Sequence, residues 1–460
     1  MSSAIRRNIL FAGFEFQQKL QRGIYLYTKS LISATKRRGH RNAILTETRA
    51  SDDARPLLSN IYHSLNDPNR IRVSPRRMLY RYGTLRWLKR HHAAKVANNA
   101  SMTTEENLWF LRDVDEFLNV PYVYDTASIV NRLGFERPLD LGFCGDYGYD
   151  TLFTTSPLQV AAANPRVKVV QTVHDLIPLE VTTHYERTDV FYRRLKACAE
   201  RADLLLAVSE YTRSRFLEIF PQAASKMHVV YQPLPADAHA LRLSEQPLVQ
   251  AAVLEKFNLK AGEYCFYVGA IEGRKNIHRL ISAHSIVTKN DEFPLVLAGY
   301  VDKEYAGAQN LSKVFAKAYE DPDGAYGGGK DDGGARQSKK LQKARYIGYI
   351  TEVEKLCLLR NARFFAFPTL NEGFGIPVLE AQTLGCPVLT TNVSSLPEVV
   401  GDSAALVQDP FNVEEIAVVM KRLLEDGAYR ASLREAGLVN ARRFSNETFA
   451  DNVDALLARL

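Results

Sequence analysis

Short apolar runs, each closed by a breaker and followed by a longer amphipathic stretch, recur along most of this chain. The opening shows the unit. Asn8 to Phe14 reads as a strand, Glu15 to Gly23 as a loop, Ile24 to Arg38 as a helix, and Ala43-Ile44-Leu45-Thr46 as a second strand. Gly39, directly after the cationic turn Lys36-Arg37-Arg38, suits the left-handed position past a helix end. Strand, crossover helix and strand in this order make a parallel sheet rather than a hairpin meander. No heptad or short internal repeat runs through the chain, and no run of about 18 apolar residues would span a membrane.

The alternation resumes with strands at Val167 to Val173, Leu204 to Val208 and Met227 to Tyr231, with a helix around Val190 to Glu200. After Gln232-Pro233-Leu234-Pro235 and a polar helical passage to about Leu259, it becomes cleaner. Strands are expected at Tyr264 to Gly269, Leu295 to Gly299, Ala344 to Gly348, Phe364 to Pro368, Pro387 to Thr390 and Ala404 to Val407. Asn412, three residues before Glu415, opens a helix as a capping box does. The expectation is an α/β chain of two doubly wound, Rossmann-like domains facing a cleft, residues 1–240 and 241–460. The last helix is a candidate for packing back on the first domain. The Gly- and Asp-rich stretch Asp321 to Arg336 reads as a surface insertion, within about 301–340. In such sheets ligands sit beyond the carboxyl ends of the strands.

A chain of 460 residues suffices for two such domains. Its 59 Lys and Arg against 52 Asp and Glu give a charge of +7, which suits anionic partners without choosing among them. The five cysteines form no C-x-x-C pair, and the apolar run near the start is short for a signal peptide, so a cytoplasmic setting is expected.

The most informative segment is Pro368-Thr369-Leu370-Asn371-Glu372-Gly373-Phe374-Gly375-Ile376-Pro377-Val378-Leu379-Glu380. A buried strand ends, two glycines let the backbone approach a ligand, and Pro377 suits the start of a helix that Gly385 ends. The helix start would present N–H groups and a partial positive charge. Glu372 on the loop and Glu380 on the first turns could reach opposite ends of one extended ligand, whereas a metal pair would converge. Gly269-Ala270-Ile271-Glu272-Gly273-Arg274-Lys275-Asn276 lies between a strand and a helix. Arg274 and Lys275 there could neutralise a departing diphosphate.

Glu372 and Glu380 within NEGFGIPVLEAQTLGCPVLTT, followed by Leu396-Pro397-Glu398-Val399-Val400-Gly401-Asp402, resemble retaining glycosyltransferase family 4, from about Tyr264 to Phe444. The resemblance implies the GT-B fold and a metal-independent hexosyl transfer from a nucleotide-sugar, with no further cofactor. Glu380 would hold the donor ribose and Glu372 the donor sugar. The backbone of Gly373, Phe374, Gly375 and Ile376 would face sugar and phosphates, Tyr349 and Ile350 the nucleobase, and Arg274 with Lys275 the diphosphate. Many members carry an arginine directly after the glycine where this chain has Ala270.

The first half carries less of the pattern. His174, in Thr172-Val173-His174-Asp175-Leu176-Ile177-Pro178, matches the place where members touch the donor sugar. Ser209 with Thr212 resembles the family's helix start and reads as a cap. Gly23, in Arg22-Gly23-Ile24-Tyr25, resembles a glycine loop near the diphosphate, although the usual second glycine is missing.

Competing patterns are weak. There is no phosphate loop of the G-x-x-x-x-G-K-[ST] type, and Gly142, Gly145 and Gly148 lack the dinucleotide spacing. Asp113-Val114-Asp115 sits in a stretch, Glu105 to Leu118, that reads as helix with a solvated acidic face. No cluster has metal-ligand spacing.

The implied reaction retains configuration through an oxocarbenium-like state. Same-face substitution is favoured, with Glu372 as a covalent nucleophile the alternative. Replacing Glu372 or Lys275 by alanine is expected to leave the fold intact and to lower turnover by about 100-fold or more. The donor could be GDP-mannose or a UDP-sugar. Members with H-D-L-I-P and E-x-R-K-N favour mannose transfer to a glycan or lipid-linked acceptor in surface polysaccharide synthesis.

Asn69 to Lys95 holds nine cations and no acid, interleaved with Leu79, Tyr80, Tyr82, Leu85, Trp87 and Leu88. That suits peripheral contact with an anionic membrane at its inner face, or with an anionic acceptor, over a plain solvated helix. Nucleic acid is not an expected partner. The competing readings are a non-catalytic binding protein on the same scaffold, or another GT-B enzyme such as a nucleotide-sugar epimerase.

Overall fold

The computed structural model describes the chain except residues 1–5, 18–22, 49–56, 67–92, 100–105, 134–137, 159, 182–186, 236–237, 289–292, 310, 312–313 and 315–343. The basic stretch, apart from its last residues, and the Gly- and Asp-rich insertion lie outside the described residues. The chain divides into two compact units, residues 1–235 with 446–460, and residues 236–445.

In the first unit, strands β1 (Asn8–Ala12), β2 (Arg41–Thr46), β3 (Ala94–Ala97), β4 (Glu116–Asn119), β6 (Thr151–Thr154), β8 (Lys168–Val173), β9 (Leu204–Ala207) and β10 (Met227–Val229) form one sheet among the described residues. Two short strands, β5 (Leu139–Asp140) and β7 (Val160–Ala161), pair separately. The order is β10-β9-β8-β6-β1-β2-β4-β3, parallel except for the edge pair β3 and β4. Buried apolar runs such as Ile9-Leu10-Phe11 and Leu204-Leu205-Leu206 are what a sheet covered on both faces requires. Helix α1 (Gly23–Arg37) crosses from β1 to β2, and Gly39 takes φ 83° beyond it. Helices α2 (Leu57–Asn66), α3 (Val123–Leu133), α4 (Thr188–Arg201) and α5 (Glu210–Ile219) complete the main helical elements described.

The C-terminal helix (Asn446–Leu457) belongs to this unit and buries Phe449, Ala450, Val453, Leu456 and Leu457. Around that face Arg38 pairs with Asp451 at 2.7 Å, His40 Nε2 meets Asp454 at 2.8 Å, and Arg7 Nε donates to the Leu457 carbonyl at 2.8 Å.

The expected helix from Glu105 to Leu118 is not what forms. A 3-10 segment spans Glu106–Asp113, and Glu116–Asn119 is the fully buried strand β4 beside β2. The sheet takes these residues because Phe117 and Leu118 bury completely there. The two aspartates are not a solvated face either. Asp113 accepts from the Ser33 hydroxyl, while Asp115 accepts from the Asn42 backbone and pairs with Lys36 at 2.5 Å.

The second unit is a parallel sheet of β11 (Cys265–Val268), β12 (Leu295–Ala298), β13 (Ala344–Tyr346), β14 (Phe364–Phe367), β15 (Val388–Thr391) and β16 (Ala405–Val407), in the order β13-β12-β11-β14-β15-β16. Helices α6 (Ile277–Val287), α7 (Glu352–Asn361), α8 (Ile376–Thr383), α9 (Val413–Glu425) and α10 (Gly427–Ala441) accompany it. Its core, from Phe266 and Leu297 to Phe365, Val388 and Met420, is continuous. At Gly299 (φ 124°) a Cβ would lie 2.1 Å from the Gly269 carbonyl, so the loops leaving β11 and β12 meet only because glycine stands there. Asn412 accepts from the Glu415 backbone, as its spacing implied. The architecture is therefore two Rossmann-like sheets.

Candidate active site

Strand β14 delivers the chain to Thr369 at the carboxyl edge of the second sheet. The loop that follows is pinned from several sides. The Glu372 backbone N–H donates to Ser394 Oγ at 3.0 Å, and Ser395 Oγ donates to the Glu372 carbonyl at 2.9 Å. Gly375 caps α8 at φ 101°, and a Cβ there would stand 2.7 Å from Leu396. Glycine is required on both counts. The Phe374 side chain is buried edge-on against Phe444, with centroids 5.5 Å apart. Gly373 lies on the same loop, Ile376 opens α8, and the positive end of the helix dipole sits there.

The Gly273–Lys275 turn folds against this loop. Asn276, at φ 61°, starts α6 and is fully buried; its Nδ2 donates to the carbonyls of Pro368 (3.0 Å) and Pro410 (2.7 Å). The Leu370 N–H donates to the Arg274 carbonyl at 2.7 Å. These bonds bring both cations to Glu372. Arg274 donates to its Oε1 at 3.0 Å, Lys275 Nζ donates to the same oxygen, and Thr369 Oγ1 donates at 3.2 Å. Arg274 is also paired with Glu272 at 2.9 Å. Burial alone would raise the Glu372 carboxyl, but Lys275 and Arg274 outweigh it and hold it below its usual value. Burial, then the neighbouring Arg274, depresses Lys275. The result is an anion carrying a compact positive wall, able to bind hydroxyls and to stabilise a negatively charged leaving group.

Glu380, 3% exposed, sits on the first turns of α8 and accepts from Lys355 Nζ at 2.7 Å. Lys355, on α7, also meets Glu352 at 2.8 Å. Burial raises the Glu380 carboxyl, and Lys355 only partly opposes this; Lys355 itself is raised by the two carboxylates despite its burial. Tyr349 is 67% exposed just before α7, and Ile350 packs on the core. Lys355, Asn276, Thr369, Ser394 and Ser395 were not singled out from sequence. Asn276 alone had a signal, a polar residue closing a Gly-Arg-Lys turn before an apolar helix. The Lys355–Glu380 pair joins residues 25 apart and is invisible to local pattern.

In the first unit, His174 follows β8, and Tyr27 packs edge-on to its ring at 4.8 Å. Burial pushes its pKa down to about 4. Ser209 caps α5 by accepting from the Thr212 backbone at 3.0 Å, and Thr212 donates to the His174 carbonyl at 3.3 Å, so the cap also fixes the histidine's backbone. Gly23 is the exposed first residue of α1, with nothing within 4 Å of a Cβ built there. Among the described residues no group of three His, Cys, Asp or Glu side chains could hold a metal, and no helix is long and apolar enough to cross a membrane.

Residues 254–439 match the family model "Glycosyl transferases group 1", and residues 139–237 match "Glycosyltransferase Family 4". The O-antigen chain mannosyltransferase B of Escherichia coli is 31% identical over 284 residues, which is 61% of this chain and 67% of that protein. The serotype-specific mannosyltransferase WbdA of E. coli is 28% identical over 305 residues, 65% of this chain, and the chain spans only 34% of its length. Anabaena HepE, solved with UDP and glucose, superposes with a TM-score of 0.62 at 15% identity, covering 99% of this chain and 100% of that one; it shares the fold. This chain belongs to glycosyltransferase family 4 and has the GT-B fold.

Proposed function

We propose that the chain is a retaining, metal-independent mannosyltransferase. It moves mannose from a nucleoside-diphosphate donor such as GDP-mannose to a hydroxyl of a glycan or lipid-linked acceptor in surface-polysaccharide synthesis. The mannose assignment is supported by the two E. coli relatives. The observation that carries the chemistry is the shared ion-pair cluster of Glu372 with Arg274 and Lys275.

On this reading Glu380, steadied by Lys355, takes the ribose hydroxyls, and the exposed Tyr349 segment takes the base. The diphosphate meets Arg274 and Lys275 while the sugar hydroxyls meet Glu372. As the bond from the anomeric carbon to the phosphate oxygen breaks, charge grows beside the two cations, where fixed positive groups stabilise it most. The acceptor oxygen bonds to the same face of the carbon, and its proton passes to the departing phosphate oxygen. Arg274, Lys275 and Glu372 thus act by charge and position rather than as bases. His174 is neutral at pH 7 and serves as a hydrogen-bonding group.

The test is transfer from GDP-mannose to a mannose-terminated oligosaccharide in EDTA, with NMR of the new linkage. The expected product keeps the donor's anomeric configuration at undiminished rate. Inversion, or activity abolished by EDTA, would contradict the proposal.

A further inference from the structure

Strands β8, β6 and β1 are adjacent and parallel, so their carboxyl ends emerge side by side. Beyond them lie His174, the pair Thr155 and Ser156, and Glu15. Glu15 is 4% exposed. Its Oε1 accepts from the Ser156 hydroxyl, the Thr155 side chain lies near the carboxylate, and Oε2 has no partner among the described residues. The His174 ring lies near the Thr155 backbone, and its Nε2 is likewise buried without a partner among the described residues. Thr155 therefore lies close to both groups, and the Thr28 hydroxyl of α1 donates to the Thr155 hydroxyl at 2.8 Å.

Buried polar atoms are nearly always satisfied, because an orphan forfeits its hydration with nothing in return. Two orphans flanking one residue at the carboxyl edge of a parallel sheet, where such folds bind ligands, call for an external partner. A carboxylate oxygen accepts a hydroxyl proton, and an imidazole nitrogen donates or accepts according to its tautomer. Neighbouring hydroxyls of a sugar ring complement both.

We propose that Glu15, beside His174, reads the hydroxyls of a hexose and is a specificity-determining residue of the transferase. Naming a hexose rests on the glycosyltransferase reading above. Burial raises Glu15 to about 7, which marks the carboxylate as held against its own solvation.

The probe is methyl α-D-mannopyranoside, followed by saturation-transfer NMR on the full chain, alone and with GDP, for wild type and Glu15→Gln. Wild type should give a signal, and the variant should bind at least about tenfold more weakly, as expected when a hydroxyl-reading site loses its partner. The variant should stay folded and keep any GDP-induced thermal shift. Assays with GDP-mannose separate the sources of the sugar. Loss of transfer alone assigns Glu15 to the acceptor, and parallel loss of acceptor-free donor hydrolysis assigns it to the donor sugar. If Glu15→Gln does not fold, Ser156→Ala, which frees the carboxylate to swing, should weaken hexoside binding a few-fold. Equal binding and equal kinetics in the variant would overturn the proposal, as would a wild type with no hexoside signal. Hexoside binding that needs Glu15, in a protein that GDP does not stabilise, would uphold the pair and reject the nucleotide reading.

Discussion

Glu372 collects Arg274, Lys275 and Thr369 on one oxygen while only 9% exposed, and that burial revises what its removal should do. An alanine there leaves the buried Lys275 without its anion, at about 3–5 kcal/mol, so the fold is not expected to be indifferent to it. Glu372→Gln keeps the shape and most hydrogen bonds. It should lower kcat by about 100-fold or more with a much smaller loss of Tm. Near-normal kcat in that variant would remove Glu372 from the chemistry. Glu15 gives the opposite signature. Its folded value of about 7 lies above the ordinary 4.5, so between those values the folded chain holds a proton that the unfolded chain releases. Its contribution is therefore full below about pH 4.5 and lost as pH rises to about 7, on the order of 3 kcal/mol in all. Urea midpoints should show Glu15→Gln gaining on wild type at pH 8 relative to pH 5; a difference independent of pH would show an ordinary carboxylate. The residue types at the site were legible because Glu372 with Glu380, and Arg274 with Lys275, stand in two dense motifs. Glu15 was not, since one acid in a loop carries no pattern until three strand ends are seen together.

At the level of elements, the β14–α8 loop and the Gly273–Lys275 turn are one structure held by Asn276. Asn276→Ala should destabilise the second unit, because each of two buried carbonyls loses its donor at about 1–3 kcal/mol and the positive φ is strained besides. Asn276→Gly loses the same bonds without the strain and should be the milder variant, as denaturant midpoints would show. Strands such as Phe364–Phe367 and Leu295–Ala298 were legible because a sheet covered on both faces demands unbroken apolar runs. The stretch from Glu105 to Leu118 misled for the complementary reason. Its apolar spacing also fits a helix, and only pairing with Arg41–Thr46, distant in sequence, selects the strand.

At the scale of the molecule, each unit has a hydrophobic core of its own, and the last helix belongs to the first although it follows the second in sequence. Removing residues 446–460 exposes apolar surface worth about 1.5–3 kcal/mol for each large buried side chain. Calorimetry should show it lowering the first unit's transition and sparing the second's. The alternation of strand and helix made two sheets legible; the last helix was expected to return to the first, but the surfaces that Phe449 and Val453 bury against follow from no local pattern. The second unit is expected to hold a nucleoside diphosphate through Glu380 and the Arg274–Lys275–Glu372 cluster. Differential scanning calorimetry in EDTA, with and without GDP or UDP, for wild type and Glu380→Gln, tests it most directly. One nucleotide at a hundred times its Kd should raise only the second unit's transition, by about 2.7 kcal/mol of stability, and the variant should lose most of that shift. No shift with either nucleotide, or one that Glu380→Gln leaves untouched, would contradict the account.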